Sequence, residues 1–70
     1  MNKDKLTPFG YKCKHRLLDE CMTMTELANM VREDTNLFCD VRYLLRIFYG
    51  ERHPKKIIDS ICKILEIDYE

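Results

Sequence analysis

Cys13, His15, Cys21, Cys39 and Cys62 are the residues here that metal or thiol chemistry would use, and their spacing suits neither. Zinc sites take paired ligands of the C-x-x-C kind, whereas Cys13 and His15 fall on different sides of a helix. The cysteines are therefore expected as reduced thiols filling small core spaces, with no metal ligand and no disulfide among them. The chain has no glycine-rich phosphate loop, no nucleophile elbow and no H-E-x-x-H pair. With 70 residues it is also too short to enclose a substrate cleft. We expect no enzyme, no cofactor and no small-molecule substrate. Two other sets of residues carry chemistry. Arg42 and Arg46 stand one helical turn apart, and a guanidinium offers a planar pair of donors to guanine or phosphate. Thr23 and Thr25 open a helix, where free N–H groups and the helix dipole favour an anion.

The formal net charge is zero, but the charges are segregated. Residues 1–18 balance at +4, 19–40 at −5, 41–56 at +4 and 57–70 at −3. A neutral total can hide a basic face, and attraction to DNA depends on the local patch. Arg42, Arg46, Arg52, Lys55 and Lys56 make the densest basic stretch outside the first helix.

Helices must position these groups, because the chain has only two glycines and two prolines while hydrophobic residues make up 46% of it. Thr7-Pro8 starts a helix over about 8–20, with Phe9, Cys13, Leu17 and Leu18 at helical spacing. Thr23-Met24-Thr25-Glu26 has the form of a capping box and starts a second helix, about 24–33, on the stripe Leu27, Met30 and Val31. Glu33-Asp34-Thr35-Asn36 reads as a turn. A third helix begins either near Asn36 or after Asp40; we place its cap at Asp40, giving a helix over about 41–49 that Gly50 ends. Leu37 and Phe38 are then loop residues tucked onto the core.

Pro54 opens a last helix, about 54–67. Its apolar set Ile57, Ile58, Ile61, Cys62, Ile64, Leu65 and Ile67 is wider than one small domain needs, which suggests a homodimer through this helix. The fold class expected is all-α, a compact domain of four or five helices over residues 7–70 with a flexible arm at 1–6. No run of apolar residues is long enough to span a membrane and no signal region follows the first lysines, so the expected location is the cytoplasm.

With the helices placed, the stretch from Phe9 to Ile67 resembles the Xre or lambda-repressor-like (Cro/CI-type) helix-turn-helix family, especially short prophage and conjugative-element regulators. The resemblance rests on Phe9-Gly10, Lys14-His15-Arg16-Leu17, Met22-Thr23, Glu26-Leu27-Ala28, and Tyr43-Leu44 followed by Gly50-Glu51-Arg52. The chain departs from the family in having Met24 for a usual Gln, Leu45 for a small polar residue, and about six extra residues between Ala28 and Gly50.

The resemblance implies sequence-specific binding of double-stranded DNA by a transcriptional regulator of repressor type, with helix 41–49 in the major groove. Leu44, Ile47 and Phe48 would then hold the helix to the core, leaving Val41, Arg42, Leu45, Arg46 and Tyr49 outward. It implies DNA contacts at Thr23, Thr25, Arg42, Tyr43, Leu45, Arg46, Tyr49, Arg52, Lys55 and Lys56. Leu45 either meets a thymine methyl or packs inward, and Tyr43 either bonds a phosphate or braces the helix. The alternative is a helix-turn-helix turned to binding another protein, as an antirepressor or inhibitor, using the acidic second helix and the apolar last one.

Overall fold

A computed structural model describes residues 5–69. Among these the chain is all helical: α1 Pro8–Asp19, α2 Met24–Thr35, α3 Val41–Phe48 and α4 Lys55–Leu65. The all-α expectation holds, at the lower of the two helix numbers.

Local chemistry sets most boundaries. The Thr7 hydroxyl accepts from the Gly10 N–H to cap α1, and Pro8 sits where its missing donor is not needed. At α2 both halves of the capping box form, the Thr23 hydroxyl accepting from the Glu26 N–H and the Glu26 carboxylate from the Thr23 N–H. Asp40 caps α3 by accepting from the Tyr43 N–H at 2.8 Å. Gly50, at φ 81°, ends α3: its N–H donates to the Ile47 carbonyl and the Glu51 N–H to the Arg46 carbonyl. The same pair of bonds closes α1, from Cys21 to Leu18 and from Met22 to Leu17, with Cys21 in the left-handed position usually given to glycine.

The core joins Phe9, Cys13 and Leu17 of α1, Leu27, Ala28 and Val31 of α2, Leu44, Ile47 and Phe48 of α3, and Ile57, Ile58, Ile61 and Leu65 of α4. α2 packs most extensively on α4. α1 meets α3 so closely that a Cβ on Gly10 would stand 2.5 Å from the Phe48 carbonyl oxygen. That oxygen accepts from both the hydroxyl and the N–H of Thr7, tying the start of α1 to the end of α3.

Several expectations are corrected. α2 does not stop at Arg32-Glu33 but runs on to Thr35, and Asn36 ends it at φ 59°. The extra turn is held from outside the helix, since Asp34 accepts from Ser60 (2.8 Å) and Lys63 (2.7 Å) of α4, while the Thr35 hydroxyl donates to the Val31 carbonyl. Leu37 and Phe38 are not tucked in; they are 41% and 70% exposed, and Cys39 takes the buried place instead. Leu18 and Met30, expected on buried stripes, face outward because each lies one position off the line that packs. α4 is the shorter helix 55–65, with Pro54 at its cap and Glu66 in the left-handed conformation at its end.

The surplus of apolar surface expected on α4 is smaller than its sequence suggests, with Cys62, Ile64 and Ile67 left half-buried. Ile58 is only 6% exposed, and Cys62, Ile64 and Ile67 pack against the core within the chain. Of the arm expected at 1–6, Leu6 packs against the core, while residues 1–4 lie outside the described residues. No helix among the described residues is long and apolar enough to cross a membrane.

Candidate nucleic-acid interface

The short helix α3 is anchored on one side and open on the other. Leu44, Ile47 and Phe48 are buried, as their spacing requires, and this leaves Arg42 and Arg46 exposed one turn apart. Neither arginine has an ion partner among the described residues. Val41 and Leu45 form a second row beside the arginines, half-buried but outside the set that packs on the core. Asp40, Val41, Arg42 and Leu45 line one open depression at the N-terminal end of the helix. The Asp40 carboxylate there accepts the Tyr43 N–H, so its charge is set against the positive end of the helix dipole.

The remaining expected contacts divide. Tyr43 and Tyr49 pack against the core, so Tyr43 braces α3 and Tyr49, expected outward, is half-buried; its N–H caps the helix by donating to the Leu45 carbonyl. The outward position is lost because Tyr49 stands where the chain turns into Gly50, beyond the helical repeat. Arg52 is exposed and, among the described residues, without an ion partner. Lys55 is exposed but lies 3.4 Å from Asp59, and Lys56 borders a depression that also holds Asp34 and Asp59. The two lysines thus stand on the α2–α4 side among carboxylates, apart from the depression that Arg42 and Leu45 share.

Thr23 and Thr25 are exposed at the start of α2. The Thr23 hydroxyl and the Glu26 carboxylate are already spent on each other's backbone N–H groups. Glu26 lines a depression with Glu20 and Glu33, a surrounding that repels an anion.

Two basic residues of α1, Arg16 and Lys12, serve the fold. Arg16 donates to the Leu65 carbonyl at 2.9 Å, capping the end of α4, and pairs with Glu20 at 2.9 Å. Lys12 donates to the Asp68 carbonyl. Burial, with the Cys62 thiol nearby, pushes Cys13 up to about 12, so its thiol stays protonated and unreactive. Burial raises Cys39 and Cys62 in the same sense. All four cysteines are free.

Sequence reasoning missed the exposed pair Leu37 and Phe38, which sit on the loop leading into α3. Their apolar character favoured burial, and only the low periodicity of a connecting segment signalled otherwise. Comparison of the chain with protein-family models, with curated proteins and with solved structures gives no match in any of the three.

Proposed function

We propose that this chain is a duplex-DNA-binding domain of the lambda-repressor-like helix-turn-helix type, a prophage-style transcriptional repressor that acts in the cytoplasm with α3 in the major groove. The observation that carries the reading is the outward side of α3, where two arginines one turn apart lack an ion partner among the described residues while the inward side is fixed by Leu44, Ile47 and Phe48. An unpaired guanidinium can turn both donors to the O6 and N7 of guanine. Arg52 follows on the next connection and adds a phosphate contact that fixes register without reading sequence.

Selection of bound duplexes from a random library tests this. The reading predicts enrichment of a short sequence containing guanines, and recovery of an unenriched pool contradicts it. A second reading, a helix-turn-helix turned to binding a protein, is favoured by the exposure of Leu37 and Phe38. It predicts no enrichment in the same experiment.

A further inference from the structure

We infer that the outward side of α2, with the loop that follows it, docks a basic amphipathic helix of another protein. This extends the protein-binding reading above from two exposed residues to a surface with a stated partner, and it draws nothing from the duplex-binding reading. Two depressions open along α2. One holds Cys21, Met22 and Met30 beside Glu20, Glu26 and Glu33; the other holds Leu37 and Phe38 beside Glu33 and Arg32. Glu33 lines both, so they adjoin, and neither shares a residue with the depression at α3. Together they form a strip from the turn before α2 to the loop after it, in which Met30 and Leu37 are each 41% exposed and Phe38 70%. α2 has 12 residues, so the strip runs about 18 Å, the length of roughly three turns of a partner helix.

The apolar part of the strip is ordered in advance. The Asn36 N–H donates to the Arg32 carbonyl and the Leu37 N–H to the Thr35 hydroxyl, while Cys39 is fully buried, so the backbone on both sides of Phe38 is pinned and its ring is held out in water. Such a ring gains nothing within the chain from its exposure and costs little further ordering when a partner covers it. Met22 and Met30 add unbranched, adaptable side chains that accept apolar groups of varied shape. Charge selects the partner. Glu26 and Glu33 have no ion partner among the described residues, and Arg32, which also borders the strip, is held by the Asn29 side chain at 2.7 Å. Carboxylates beside an apolar floor repel nucleic acid and anionic lipid and attract lysine and arginine. A helix fits better than an extended peptide, because the described residues contain no strand whose edge could pair with one, whereas a helix arrives with its backbone bonds already made.

The test titrates the full chain into three fluorescently labelled peptides of about 14 residues, long enough for the strip at 1.5 Å per residue: an amphipathic Leu/Lys helix, the same peptide with Ser for Leu, and the same with Glu for Lys. Anisotropy should show binding of the Leu/Lys peptide and at least about tenfold weaker binding of the other two. F38A should weaken the Leu/Lys peptide about tenfold and M30A several-fold, as expected for apolar anchors. E33Q should weaken it about two- to fivefold at low salt, a loss that fades as salt is added. Y11A, exposed on α1 and lining neither depression, should bind as wild type does. Thermal melting of the variants should match wild type, since each altered side chain points outward. No binding of the Leu/Lys peptide, equal binding of the Ser/Lys peptide, or binding unaltered in both F38A and M30A overturns the inference. Wild type that sediments as a dimer, and F38A as a monomer, would assign the strip to a second copy of the chain and overturn it as well. Selection of duplexes bears on α3 alone, so either reading can fail without the other.

Discussion

Gly10 shows how much a single missing methyl decides here. With a Cβ in place, the Phe48 carbonyl would be met at 2.5 Å by a group attached to a rigid helix, and neither backbone can yield cheaply. Gly10→Ala should therefore destabilise by about 1–3 kcal/mol in denaturant unfolding, the usual range for overpacking, even though alanine favours helix. Asp34 is the corresponding charged position. Hydrogen bonds from Lys63 and Ser60 hold its carboxyl below the usual range, so the folded state binds its proton less readily than the unfolded one. Its contribution is complete above the ordinary carboxylate range near about 4 and is lost as pH falls through the lower folded value. Acid unfolding of wild type against Asp34→Asn measures this: the variant should be less stable at neutral pH and its stability should fall less steeply in the acid range. Parallel curves would contradict the assignment.

At the scale of the helices, the starts were more legible than the ends. Thr7-Pro8, the Thr23–Glu26 box and Asp40 cap their helices through contacts three residues long, which a sequence displays directly. Gly50 announced the end of α3 for the same reason. The end of α2 was hidden because its last turn depends on Ser60 and Lys63, far along the chain, and because Asn36 rather than glycine takes the left-handed position. Cys21 and Glu66 conceal their helix ends in the same way. The arginine row was legible from its spacing; the charge neutralisation of Lys55 by Asp59 was equally readable at four residues, but the placement of Lys56 near Asp34 requires the packing of α2 on α4.

That difference separates the two kinds of basic residue functionally. Arg42→Ala and Arg46→Ala should each cost about 1–3 kcal/mol on the preferred duplex and relax preference at one base pair. Lys55→Ala and Lys56→Ala should weaken all duplexes equally and only slightly, since their charges are offset by carboxylates nearby. Equilibrium binding to the preferred duplex and its single-base variants distinguishes the two patterns.

The whole molecule is a thin core closed by α4. A chain of this size buries about 60% of the surface its unfolded form exposes, so one aliphatic side chain is a large share of its stability. Ile58 lies inside that core, and Ile58→Ala should cost about 2–4 kcal/mol, a loss seen in thermal unfolding that does not vary with protein concentration. A melting temperature of wild type that rose with concentration would instead show that a second copy covers α4. Zero net charge over the full chain coexists with an α3 side whose arginines have no ion partner among the described residues, and local potential rather than total charge governs approach to a polyanion. The central claim, that this side of α3 engages duplex DNA, is tested most directly by the salt dependence of duplex affinity. With Arg42, Arg46 and Arg52 each displacing one counterion, log affinity against log salt should fall with a slope of about −3. A slope near zero, or no duplex binding at low salt, would contradict it.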